Sequence, residues 1–142
     1  MISLTHIHPM LVHFPIALVA VGFIADAAAV FIKKEPCLSK LGFYLLITGT
    51  LAAITVLCSG IFFTSEMSGS AGEIKSLHEL FAWITVVTLL VTSALRIMLV
   101  ITHKEASGLK WIAFVFYGLA AVSVGLTGFF GGTLVYNYMM PL

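Results

Sequence analysis

Charge is what this chain lacks most. Seven Lys or Arg and six Asp or Glu are spread over 142 residues, while 61% of the residues are hydrophobic. No soluble domain of this size can hide so much apolar surface. Lysine and arginine form no stripe or cluster of the kind that follows a phosphate backbone, which excludes a nucleic-acid partner. Cysteine is nearly absent. Cys37 and Cys58 are 21 residues apart, so about 30 Å of helix separates them and no disulfide joins them. The chain also lacks a G-x-S-x-G elbow, a P-loop and any triad context for its serines, which argues against hydrolase and transferase chemistry. No Lys or Arg precedes the first apolar run and no small-residue cleavage site follows it, so no cleavable signal peptide is expected.

What is present is long apolar segments. A bilayer core about 30 Å thick takes about 20 apolar residues per helix. Four stretches qualify, at about 9–32, 41–65, 78–102 and 111–136. The linkers between them are short, so neighbouring helices run antiparallel. The expectation is an all-α integral membrane four-helix bundle, up-down-up-down, forming a single domain over residues 1–142.

Basic residues in short loops orient such a bundle. The first linker carries Lys33, Lys34 and Lys40, and the third carries Lys104 and Lys110, whereas the second has only Lys75. The first and third linkers are therefore expected in the cytoplasm and both termini on the outer side, which in a bacterium is the periplasm. That topology collects four of the five histidines, His6, His8, His13 and His78, at the outer face, and leaves His103 beside Lys104 at the other.

Two internal charges set the depth scale. Asp26 is seven residues before Lys33, and Arg96 is seven before His103. Neither charge should face lipid alone, so a buried Asp26–Arg96 ion pair is expected. His8 is 18 residues from Asp26, and His78 is 18 from Arg96, which puts these two histidines at one level. His13 is five residues deeper, about 7–8 Å, and turned by about 140° from His8 on a regular helix. Pro15 removes the bond to the Leu11 carbonyl, and a kink there is the route by which His8 and His13 would reach a common point.

Small residues supply a second pattern. Gly118, Ala121, Gly125, Gly128 and Gly132 recur at spacings of 3, 4, 3 and 4 along the last segment, and Gly42, Gly49, Ala53 and Gly60 form a thinner row in the second. Such stripes let helices approach closely. They also leave room for a flat macrocycle or a quinone ring. The aromatic residues Phe14, Phe62, Phe63, Phe81, Trp83, Phe129 and Phe130 are candidates for its wall.

Three chemistries use histidines so placed. Haem b takes one or two imidazoles from different helices. Copper or zinc takes His and Met ligands, for which His6, His8, Met67, Met139 and Met140 are candidates. A proton or quinone site uses histidines in exchange. The bland alternative is that the histidines cap or bridge helices in a structural or anchoring subunit.

The run H-P-M-L-V-H-F-P-I-A-L (His8–Leu18) and the run G-G-T-L-V-Y (Gly131–Tyr136) resemble the two ends of an uncharacterised bacterial four-span membrane domain of unknown function. The resemblance covers nearly the whole chain. The matched positions are His8, Pro9, His13, Pro15, Asp26, His78, Gly131, Gly132 and Tyr136. The family's association with Rieske and c-type cytochrome proteins implies electron transfer at the periplasmic face. The second linker, with Met67 and Glu73, adds no ligand motif.

These readings combine into one expectation: a small inner-membrane b-type haem protein, a redox subunit rather than an enzyme by itself, with enzymatic activity left open, exchanging electrons with a quinone or a cytochrome or Rieske partner. His13 and His78 are the expected axial ligands, with His8 as the alternative. Gly128, Gly131 and Gly132 make space, and Tyr136 reaches a propionate. The alternatives are a structural anchor and a periplasm-facing copper or zinc site. The lipid bilayer is a partner in every case, and self-association is left open.

Overall fold

A computed structural model describes residues 7–32, 36–103 and 108–138. The described residues form α1 (Ile7–Leu11), α2 (His13–Phe31), α3 (Pro36–Phe63), α4 (Gly69–Ile101) and α5 (Leu109–Tyr138), with no strand among them. Helices α1 and α2 together make the first of four rods long and apolar enough to cross a membrane, Ile7–Phe31. The fold is an all-helical four-span membrane bundle, and the chain is a multi-pass membrane protein in contact with lipid.

The first rod is interrupted at Val12, one turn before Pro15, which has no N–H to give to Leu11. Val12 nonetheless keeps helical dihedrals (φ −60°, ψ −25°), and its N–H still bonds the His8 carbonyl at 3.2 Å. The rod therefore passes through the interruption without unwinding. The third rod begins at Gly69 rather than at His78. The extra turns lie outside the apolar run, where a hydropathy pattern has nothing to register. Gly69 itself has φ +66°, a conformation glycine adopts without strain, and it turns the 64–68 connection into α4.

Two tight hairpins, α2 with α3 and α4 with α5, meet along less extensive α2–α5 and α3–α4 seams. Helices α2 and α4 are thus diagonal. Their exterior carries large apolar residues such as Ile24, Phe31, Leu51, Phe62, Val122 and Phe129, all more than half exposed. The interior is mixed. Val19, Leu46, Leu89, Tyr117 and Ala120 pack its centre, but Thr50, Thr85, Thr92, Ser93 and Ser123 are buried there too. Lipid tails are as apolar as leucine, so apolar side chains gain little by turning inward, whereas polar ones need partners within the protein; Thr48 and Thr55, exposed on α3, find them on carbonyls of their own helix. Several of the buried hydroxyls also bond a carbonyl one turn back, as Thr50 does to Leu46 at 2.8 Å and Thr92 to Thr88 at 2.6 Å. Thr50 Oγ1 then reaches Ser93 Oγ across the α3–α4 seam at 2.9 Å.

The deepest charges lie across the bundle diagonal. Asp26 is 1% exposed and Arg96 6%, and Arg96 Nη2 lies 3.0 Å from Asp26 Oδ1. Neither carboxylate oxygen has a hydrogen bond of good geometry among the described residues, so charge rather than alignment holds the pair. Gly42 of α3 makes room for it. A β-carbon at Gly42 would sit 3.0 Å from Asp26 Cβ and 3.1 Å from its backbone nitrogen. The row Gly42, Gly49 and Gly60 is a packing seam, closed by Asp26, Val19 and His8 respectively.

Removing one partner of a buried pair leaves an uncompensated charge, a loss of about 3–5 kcal/mol. Arg96→Met should lower the thermal midpoint of the detergent-solubilised protein sharply. The double variant Asp26→Asn/Arg96→Met should recover most of that loss, as read by thermal unfolding followed by circular dichroism.

Candidate functional site

His8 and His78 enter the bundle from opposite hairpins. His8 is on α1, only 8% exposed, and packs beside α3. His78 is on α4 and packs beside α5. Their ring centroids are 6.2 Å apart and their planes stand at 88°. Glycines bring each ring this close to its neighbouring helix. A β-carbon at Gly60 would lie 3.0 Å from His8 Cε1, and one at Gly131 would lie 3.1 Å from His78 Cε1. At either position a side chain would push the imidazole away.

Each ring is held through the same nitrogen. His78 Nδ1 is 2.9 Å from the carbonyl oxygen of Thr127. A carbonyl only accepts, so Nδ1 carries the proton and donates it. His8 Nδ1 is 2.9 Å from Ser59 Oγ. The Ser59 hydroxyl also lies 2.8 Å from the Val56 carbonyl; with its proton on that carbonyl, the hydroxyl accepts and His8 Nδ1 donates as well. Both Nε2 atoms are left without a hydrogen-bond partner among the described residues. Imidazoles oriented by an Nδ1–H bond and presenting Nε2 are the usual form of histidine ligands, because the outer bond fixes ring and tautomer together. Ser59 and Thr127, which do the orienting, carried no signal in the sequence. They are 51 and 49 residues from the rings they hold.

A cavity of about 450 Å³ adjoins the two rings, within the roughly 300–1,000 Å³ of small-molecule sites. All four spans line it. Small residues make much of the wall, including Ala53, Gly60, Ala82, Gly128, Gly131 and Gly132. Of these, Gly128 is also a helix contact, facing Ile16 Cδ1, whereas no atom outside its own helix backbone lies near Gly132. At one end the cavity meets a small ionic group. Lys75 Nζ is 2.7 Å from Glu79 Oε1 and 3.5 Å from Glu66 Oε2, and all three residues contribute to the lining.

The placement of the other expected site residues differs from the sequence reading. His13, expected to ligate with His78, is exposed on the cavity rim, and His8 takes the inward position. The interruption at Val12 does not change the rotation between them, because the helical dihedrals continue through it. Five residues therefore still separate the two rings by about 140°. Tyr136 also lines the cavity but is 85% exposed, with no hydrogen bond among the described residues. Of the expected aromatic wall, only Trp83 borders the cavity. Phe14, Phe62 and Phe129 point outward, each more than 60% exposed, while Phe81 and Phe130 stack on each other at 5.6 Å. Among the described residues no three His, Cys, Asp or Glu side chains converge as a metal group. His6, Met139 and Met140 lie outside the described residues.

Bundle and cavity together define a small polytopic membrane protein with paired interior histidines beside a ligand-sized space. Residues 5–141 match the family described as a predicted membrane protein (DUF2231), whose function is unknown, and the chain belongs to that family. Neither a curated protein nor a solved structure matches it.

Nitrogen-15 NMR of histidine-labelled protein, recorded where the imidazoles are neutral, tests the tautomer assignment. His8 and His78 should both show a protonated Nδ1 and a pyridine-like Nε2. A protonated Nε2 on either ring would contradict it.

Proposed function

We propose that this protein is a small b-type haem protein of the inner membrane, with His8 and His78 as axial ligands and with electron transfer at the periplasmic face as its role. One observation carries the reading: two imidazoles from opposite hairpins, each locked through Nδ1–H, present free Nε2 atoms beside a 450 Å³ cavity. His8 and His78 would hold the group together, one imidazole from each hairpin, as haem b takes its ligands from different helices. Their ring centroids are 6.2 Å apart.

The residues present suit such a group. Gly60 and Gly131 relieve the ring positions, Gly128 and Gly132 leave the adjoining wall thin, and the apolar lining matches a macrocycle. Haem b held by His8 and His78 would supply reversible one-electron transfer. The protein's part is to fix both rings before the group arrives, so that little reorganises when charge changes. A copper or zinc site is less well supported, since the two imidazoles that meet among the described residues leave either ion short of ligands.

The periplasmic assignment rests on the loop lysines. Lys40 and Lys110 lie at the end of the bundle opposite His8 and His78, and Lys33, Lys34 and Lys104 belong to the same two linkers. A cavity lined by all four spans near one membrane face suits exchange with a quinone in the bilayer or with a cytochrome or Rieske protein outside it.

The absorption spectrum of protein expressed with ample haem tests the reading. Wild type should show a Soret band with the sharp visible bands of a six-coordinate, low-spin iron. His8→Ala and His78→Ala should each lose the low-spin spectrum, whereas His13→Ala should keep it. Wild-type protein without a band would favour the structural anchor. Loss in His13→Ala alone would return the ligand role to that residue.

A further inference from the structure

The ionic group at the cavity's end is asymmetric, and the asymmetry bears on what the cavity accepts. The Lys75 side chain is 10% exposed, deep for an ammonium group that needs a counter-charge. Glu79, one turn along α4, supplies it at 2.7 Å. Glu66, in the 64–68 connection, is a second partner at 3.5 Å, and its side chain is 97% exposed. A carboxylate so exposed gains almost nothing from the contact, because water solvates it equally well. Lys75 therefore has one firm partner and one that exchanges at little cost. Among the described residues it is also the one cationic side chain lining the cavity.

Lys75 is one turn from His78 on α4, at i and i+3, so the two lie on neighbouring parts of one face. A ligand seated against the His78 ring thus has its rim toward the ammonium group. Bringing a carboxylate to this place is unfavourable while both Glu66 and Glu79 occupy Lys75, since the three side chains sum to one negative charge. Exchange of Glu66 for a ligand carboxylate leaves that sum unchanged.

We propose that Lys75 is the anchor for a carboxylate of the cavity's ligand, which takes the place of Glu66 on the ammonium group, so that the site selects a flat apolar body carrying an anionic tail. This rests on the haem reading, where the tail is a propionate. Glu66 swings to water as the ligand seats, and the 64–68 connection is released from α4. Glu79 stays and keeps Lys75 neutralised in the empty site.

Titration of detergent-solubilised full-length apoprotein with haem and with haem dimethyl ester separates this inference from its parent. The ester keeps the iron and the macrocycle but has no carboxylate. Wild type should bind haem about tenfold more tightly than the ester, the scale of a charge-assisted hydrogen bond. Lys75→Met should shrink that preference to within about twofold by weakening haem alone, with the low-spin spectrum retained. Glu66→Gln should bind haem as tightly as wild type or tighter. Equal affinity of wild type for the two porphyrins overturns the role of Lys75 and leaves the histidine assignment standing. A preference that survives in Lys75→Met overturns it as well. Absence of a low-spin band with either porphyrin overturns the haem reading and this inference with it.

Discussion

Everything in this structure depends on one constraint: a polar side chain in the hydrocarbon layer must find its partner inside the protein, across the bundle or one turn back on its own helix. Thirteen charged residues suffice for the whole chain, and the two deepest, Asp26 and Arg96, meet at 3.0 Å. Buried hydroxyls fold back on their own helices or bridge to the next, as Thr50 and Ser93 do. Large apolar residues lie on the outside instead, with Ile24, Phe62 and Phe129 among the most exposed. The histidines obey the same rule, but only halfway. Each has its Nδ1 satisfied by a neighbouring helix and its Nε2 left over. Both rings line the cavity, and neither Nε2 is among the buried polar atoms without a partner.

The small-residue rows convert this constraint into geometry. Gly42 admits Asp26, Gly60 admits the His8 ring, and Gly131 admits the His78 ring. Each is a place where one β-carbon would displace the polar group from its partner. The same feature therefore serves packing at one depth and a candidate site at another. At Gly49 a row member faces Val19 and is filled. At Gly132 it faces open space along the cavity. The two hairpins are the most extensive helix pairings, and each contributes one oriented imidazole, so the distance between the rings is set by how the hairpins meet.

Much of this was legible beforehand, and the reasons are physical. Apolar runs of sufficient length must be helices across a bilayer, because no other single segment satisfies its own backbone there. Counting 18 residues back from Asp26 and from Arg96 reached His8 and His78 because rise per residue is nearly constant in a helix. Rotation was less legible. The reading that chose His13 allowed Pro15 to swing the helix, whereas Val12, one turn before it, keeps its helical dihedrals. The aromatic wall failed for a related reason. In a soluble core Phe14, Phe62 and Phe129 would be drawn inward, but lipid accepts them without penalty. The turns of α4 before His78 were missed because they are polar, yet they carry Lys75 to the mouth of the cavity.

The amino-acid sequence by itself determined the number of spans, their antiparallel order and the need to pair Asp26 with Arg96. Those follow from length, hydropathy and the penalty on a lone charge, which are properties of residues and not of their arrangement. Tertiary structure alone decided which histidine faces inward, which nitrogen of each ring is committed, and that Lys75 keeps one firm and one exchangeable partner. Ser59 and Thr127 meet their histidines only because two hairpins place residues about fifty positions apart at one depth. Contacts of that kind depend on helix rotation and close approach, which a linear pattern of hydrophobic residues does not encode.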